Sequence, residues 1–143
     1  MTHFRVQFMN LSRRLRREAR SDDRSWAQLL LLGAIDRSGG TATPSMLAES
    51  GGLQTSNLAT ALRDLEAHDL VVRTPDTEDR RKTRVSLTKT GRDLLYGNRA
   101  RRDSWLTQAV EQVLTEDERR LLLEAGALLE RIAAAPVSDS AEI

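Results

Sequence analysis

Two groups of side chains in this sequence have types and spacing that suit specific chemistry. Gln54, Thr55, Ser56, Asn57 and Thr60 crowd small and medium polar groups together, with Arg63 one helical turn beyond. Arg73, Arg80, Arg81, Lys82 and Arg84 bring five cations into twelve residues. An amide side chain pairs a donor with an acceptor, which matches the edge of adenine, and hydroxyls can reach base edges or phosphates. Guanidinium and ammonium groups meet phosphate oxygens. Each group also has a plainer use: the first as a polar, capped helix start, the second as a solvated charged loop. The elements that carry them have to decide.

Other chemistries find little support. There is no paired histidine and nucleophile, no phosphate-cradling glycine loop and no metal-ligand spacing, so an enzyme is not expected. Cysteine is absent, which removes disulfides, thiol redox sensing and cysteine-based metal sites together. Two histidines, His3 and His68, are too few for a histidine-based site, and neither metal nor cofactor is expected. His68 reads as a polar helix end. No apolar run approaches the roughly 20 residues of a membrane span; Leu29 to Leu32 is the longest leucine tract. The N-terminal stretch lacks an apolar block followed by a small-residue cleavage site, so a cytoplasmic location without a membrane partner is expected. The net charge of +1 conceals an asymmetry. Residues 1–102 hold 19 basic and 12 acidic side chains, whereas residues 103–143 hold 3 and 9, so one face can be basic while another is acidic.

The positioning elements follow from hydrophobic period and punctuation. Phe4, Phe8, Leu11 and Leu15 form one stripe of a first helix, with Arg13, Arg14, Arg17 and Arg20 on its other face. Ser21-Asp22-Asp23 breaks the pattern, and Ser25 caps a second helix that buries Trp26, Leu29, Leu30 and Ile35 and ends at Ser38-Gly39-Gly40. Thr43-Pro44 opens a short helix with Met46 and Leu47 inward, which Ser50-Gly51-Gly52 terminates. A longer helix from about Thr55 to His68 buries Leu58, Leu62 and Leu65. Short helix, glycine turn and longer helix make the layout of a helix-turn-helix. Leu70 to Arg73 and Thr83 to Leu87 are short and β-branched, and read as a hairpin with the polar tip TPDTEDRRK. Thr88 caps a helix to about Leu114 with Leu94, Leu95, Trp105, Leu106, Val110 and Val113 on its apolar positions. Thr115 and Glu118 form a capping box for a last helix, with Leu121, Leu122, Ala125, Leu128, Leu129 and Ile132 inward. Pro136 stops it, and SDSAEI reads as a frayed tail. The fold class is mainly α with a small β-hairpin wing.

The stretch LAESGGLQTSNLATALRDLEAHDLVVRTPDTEDRRKTRVSLTKTG, Leu47 to Gly91, resembles the MarR family of bacterial regulators (multiple antibiotic resistance regulators). The wing is the most diagnostic part: Asp79-Arg80-Arg81, then Val85-Ser86-Leu87-Thr88 and Gly91. The resemblance implies a winged helix-turn-helix, residues 25–89, between a dimerisation helix in residues 1–24 and dimerisation helices in residues 90–143, the whole intertwined as one domain. Gln54, Thr55, Ser56, Asn57 and Thr60 would then read base edges from the start of the recognition helix, with Arg63 on a phosphate. Arg73, Arg80 and Lys82 would meet the backbone. Arg81 would enter the minor groove, oriented by Asp79 two residues earlier; a narrow minor groove favours an arginine through its enhanced negative potential.

Phe4, Phe8, Leu11, Trp105, Leu106, Val110, Leu121 and Leu128 fall in the helices that the resemblance assigns to the dimer interface. Arg99, Arg101, Arg102 and the arginines of the first helix suit a solvated helical face better than phosphates. Family members bind aromatic acids in a crevice beside the DNA-binding region, near which Trp26, Leu30 and Met46 could lie; the ligand residues stay unassigned. Three positions depart from the family pattern: Gln54 for a capping serine, Ala59 for a frequent serine, and Asp69 for a glycine that takes the left-handed conformation. The function implied is a homodimeric, sequence-specific DNA-binding regulator, a repressor on a palindromic operator, released by a small aromatic or phenolic inducer. The alternative is a winged-helix protein-interaction module without sequence-specific DNA binding.

Overall fold

The computed structural model of the chain describes residues 1–19, 24–51 and 55–136, with the side chains of residues 51, 55 and 56 left out. The expected break at Ser21-Asp22-Asp23, Arg20, Gly52, Gln54 and the tail SDSAEI lie outside the described residues. Eight elements follow in order: α1 (Thr2–Glu18), α2 (Trp26–Arg37), α3 (Pro44–Gly51), α4 (Thr55–Ala67), β1 (Val71–Pro75), β2 (Thr83–Leu87), α5 (Lys89–Val113) and α6 (Glu116–Ala133). They form two compact units, Met1–Asp103 and Ser104–Ile143, with the boundary inside α5. No helix among the described residues is long and apolar enough to cross a membrane.

In the first unit, local capping sets the helix starts. The Ser25 hydroxyl accepts the Gln28 N–H at 3.2 Å, and the Gln28 side-chain oxygen accepts the Ser25 N–H at 3.2 Å, a reciprocal box that satisfies two otherwise orphaned donors. Thr43 accepts the Met46 N–H and so opens α3. Thr88 accepts the Gly91 N–H at 2.9 Å and opens α5. The core is one cluster in which Leu32 and Ile35 of α2, Leu58, Leu62 and Leu65 of α4, Val71 and Val85 of the hairpin and Leu95 of α5 are all but inaccessible. Truncating such a side chain to alanine costs about 2–5 kcal/mol. Two expected core residues point outward: Leu30 is 56% exposed and Met46 51% exposed. On α2 the buried positions 29, 31, 32 and 35 follow the 3.6-residue period and place Leu30 on the opposite side.

The hairpin pairs Val71 with Leu87 through Pro75 with Thr83, antiparallel, and Val85 N–H donates to the Ala42 carbonyl at 2.8 Å, which ties the turn before α3 to the wing. Asp69 holds the left-handed conformation at φ 56° that closes α4. The Leu70 N–H donates back to Leu65 and the Asp69 N–H to Glu66, the paired bonds of a Schellman motif. Gly91 of α5 lies so close to the Leu70 carbonyl that a Cβ there would stand 2.0 Å from its oxygen. The glycine is therefore what lets α5 start directly against the end of α4.

The second unit contains the end of α5 and α6. Thr115 and Glu118 form the expected capping box, with the Thr115 N–H donating to Glu118 at 2.8 Å. Arg119 turns back to donate to the Leu114 and Glu111 carbonyls at 3.0 and 2.6 Å, satisfying backbone acceptors at the end of α5. No residue of α6 is buried. Ala125 and Leu129 are half-buried, but Leu121, Leu122, Leu128 and Ile132, expected inward, are exposed, Leu121 by 65%; Val113 of α5 is 76% exposed. The periodic pattern identifies an apolar face without saying what covers it, and among the described residues this one is exposed.

Candidate nucleic-acid interface

The helix-turn-helix is α3 and α4, packed on α2 and against the hairpin. On α4 the buried Leu58, Leu62 and Leu65 fix one face inward, so Asn57, Thr60 and Arg63 are exposed on another. Arg63 lies along its own helix, donating to the Ala59 carbonyl at 3.3 Å and the Thr60 hydroxyl at 3.4 Å. Thr55 and Ser56 belong to the first turn of α4, and their side chains, like Gln54, lie outside the described residues.

The wing tip is organised by two carboxylates. Asp76 accepts the N–H groups of Glu78 and Asp79 at 2.7 and 3.0 Å with one oxygen and the Arg84 guanidinium at 2.6 Å with the other. These donors, the Asp79 N–H first and then Arg84, hold the Asp76 carboxyl down to about 2. Asp79 accepts the Arg81 backbone N–H and Nε, both at 3.1 Å, and Arg81 Nη2 at 3.3 Å. The side-chain bond from Arg81, ahead of its backbone bond, lowers the Asp79 pKa. Arg81 is thus clamped at its base while its side chain remains 91% exposed. Arg80 and Lys82 flank it, both exposed. Arg73 differs: its Nε lies 3.2 Å from Glu66 of α4 and it is half-buried, so it joins β1 to the recognition helix.

Sequence reasoning missed Asp76 and the Asp76–Arg84 pair. A Pro-Asp dipeptide opening a turn was the available signal, because an aspartate in that position bonds the backbone two and three residues on.

A second feature lies between α2 and α5, where a crevice of about 160 Å³ is lined by Trp26, Leu29, Leu30, Arg37, Arg99 and Arg102. Arg99 donates to Asp36 at 2.9 Å, and the Tyr96 hydroxyl donates to the other Asp36 oxygen at 2.8 Å. The Tyr96 bond is the largest cause that lowers the Asp36 carboxyl, and the same bond raises the Tyr96 phenol. Arg102 stacks on Trp26 with its guanidinium 5.2 Å from the ring centre, and burial lowers its pKa. Arg16 of α1 approaches the same ring at 5.4 Å. Arg99 and Arg102 therefore face a crevice and do not form the solvated helical face expected of them. Trp26 and Leu30 line this crevice, and Met46 does not.

Phe4, Phe8 and Leu11 are exposed on α1, Leu121 and Leu128 on α6, and Trp105, Leu106 and Val110 are half-buried. His68, exposed at the end of α4, has Nδ1 2.8 Å from the Asp64 carbonyl oxygen. Among the described residues no cluster of histidine, aspartate or glutamate could hold a metal ion.

A mostly helical chain with this helix-turn-helix and two-stranded wing is a winged helix-turn-helix protein. The sequence model of the MarR family matches residues 22–82. A protein of Pseudomonas aeruginosa PA01 solved as a transcriptional regulator is 51% identical over 94% of this chain and 93% of its own, with a TM-score of 0.85. Wild-type MarR of E. coli in its apo form is 24% identical, covering 92% and 94% of the two chains, with a TM-score of 0.73. A point mutant of S. aureus MepR bound to an oligodeoxyribonucleotide is 20% identical, covering 92% and 96%, with a TM-score of 0.70. No curated protein sequence matches the chain. The chain belongs to the MarR family, a family of transcriptional regulators.

Proposed function

We propose that this protein is a sequence-specific DNA-binding regulator that acts as a homodimer and represses from a palindromic operator. The observation that carries the reading is the wing tip: Arg81, clamped by Asp79 yet almost wholly exposed, beside Arg80 and Lys82. A carboxylate this close to the tip opposes DNA by its charge, so its value lies in aiming the arginine. Asn57, Thr60 and Arg63, with Gln54, Thr55 and Ser56, read the major groove, and Arg73 serves the interface by holding the wing to α4. The phosphate contacts supply most of the affinity and the helix start most of the discrimination. Residues 25–89 carry DNA binding, and residues 1–24 and 90–143 dimerise through the exposed apolar stripes of α1 and α6. A two-fold dimer sets its recognition helices about one DNA turn, roughly 34 Å, apart and so requires an inverted repeat.

The crevice by Trp26 supports a small-molecule inducer. An aromatic wall with Arg37, Arg99 and Arg102 suits a small aromatic acid or phenol. Such a ligand releases DNA by binding better to the arrangement that cannot bind the operator. The protein works in the cytoplasm and is not an enzyme.

The test is binding to the DNA upstream of its own gene, titrated against salt, for wild type and Arg81→Ala. Selective binding with a steep salt slope, weakened by the substitution, is expected. Absence of DNA binding even at low salt would replace this reading with a winged-helix protein-interaction module.

A further inference from the structure

A polar network ties the start of α2 to α4. Asp64 of α4 accepts from Arg24 Nη1 at 3.2 Å and from the Gln28 side-chain nitrogen, both on the same oxygen. His68 Nδ1 lies 3.4 Å from the other oxygen. Arg24 is largely buried, with its side chain 14% exposed. Gln28 serves two elements at once, because its oxygen closes the capping box of α2 while its nitrogen reaches α4. That pairing also fixes the amide orientation, since the reversed group would set donor against donor at Ser25 and acceptor against acceptor at Asp64.

Asp64 lies seven residues after Asn57, two turns along the same stripe of α4. A straight helix transmits rotation, so whatever sets the azimuth of Asp64 sets that of Asn57. A turn of about 10° about the helix axis moves a side-chain tip at a radius of about 6 Å by roughly 1 Å, enough to take a base-edge hydrogen bond out of range. The hydrophobic face of α4 resists this rotation only softly, because apolar contact is non-directional. The charged bonds at Asp64 are directional.

We propose that Asp64, held by Arg24 and Gln28, is the positioning residue that fixes the rotation of the recognition helix and thereby its sequence selectivity. The inference rests on the DNA-reading role of α4 proposed above. Positioning and simple electrostatics predict opposite signs. Removing an acidic side chain from the recognition helix should, by charge alone, tighten binding to every duplex. Loss of positioning should weaken the chosen sequence while sparing the rest.

The experiment measures affinity for a duplex selected by the wild-type protein from a randomised pool and for a scrambled duplex, with wild type, Asp64→Ala and Gln28→Glu. Gln28→Glu retains an oxygen for the capping box and sets a carboxylate against Asp64, so it breaks the tie without removing the cap. Amide hydrogen exchange along α4 is followed in the free protein as a readout independent of DNA. The expected result is about a tenfold fall in the ratio of selected to scrambled affinity for both variants, unchanged or tighter binding of the scrambled duplex by Asp64→Ala, and faster exchange in α4 with α5 unaltered. A wild-type preference that survives Asp64→Ala, or α4 exchange that does not change, overturns the positioning role alone. A wild type without preference between the duplexes overturns it together with the DNA-reading role.

Discussion

Gly91→Ala sets two physical effects of opposite sign against each other. Alanine is a better helix former than glycine by up to about 1 kcal/mol, so on propensity alone the substitution stabilises α5. Its Cβ, however, would stand 2.0 Å from the Leu70 carbonyl oxygen, where ordinary contact begins near 3.4 Å. The two backbones must part by the difference, 1.4 Å, or α5 must tilt. The oxygen cannot yield freely, since it accepts the Thr88 N–H at 3.1 Å, and the Leu70 N–H is itself bonded to Leu65 at 2.9 Å. Overpacking of this kind costs about 1–3 kcal/mol, and losing the Thr88 bond about 1 kcal/mol more. The net expectation is about 2 kcal/mol of destabilisation, or roughly 8 °C in Tm for a chain of this size. Gly97→Ala in the same helix is the control. A Cβ there meets only the end of the Arg101 side chain at 3.8 Å, so the propensity gain should appear undiminished. Chemical denaturation at fixed protein concentration, with the midpoint read at constant m, decides the matter. Gly91→Ala as stable as wild type would refute the argument that the close approach outweighs helix propensity.

Three further expectations follow from single features of the structure. Asp69→Gly should stabilise by up to about 1 kcal/mol, and Asp69→Val should destabilise, because φ is 56° at this position and a β-branched side chain tolerates it worst; thermal unfolding of the pair checks the sign. Asp76 has a folded pKa of about 2, below the roughly 3.9 of an unfolded aspartate, so its contribution is complete above about pH 4 and lost as pH falls toward 2. NMR of the wing amides should show the tip loosening in that window, and Asp76→Asn should loosen it at neutral pH as well; a tip indifferent to both would remove Asp76 from its organising role. Phe4→Glu with Phe8→Glu, placed on the exposed stripe of α1, should shift sedimentation from dimer to monomer. A dimer of unchanged stability would locate the interface elsewhere.

Much of the architecture was legible before any coordinates. Ser25 with Gln28 and Thr115 with Glu118 announce helix starts because capping is decided within four residues of chain. The change of period after Asp69 announces the hairpin, and the stripe of Leu58, Leu62 and Leu65 gives the inward face of α4. The clamp of Asp79 on Arg81 was also foreseeable, from a family resemblance and a separation of two residues.

Tertiary packing decided the rest. That Leu30 and Met46 face outward depends on where α2 and α3 meet their neighbours, and a leucine run does not disclose its own phase. Whether Leu121 and Ile132 lie inside depends on a second surface that periodicity cannot supply. Arg99 and Arg102 became crevice residues only because α5 runs beside Asp36 and Trp26 of α2. The tie from Arg24 and Gln28 to Asp64 joins positions 40 and 36 residues apart. Patterns of period and cap are local statements about the backbone. Partners distant in sequence are chosen by the packing of whole elements, and that choice exists only in the folded chain.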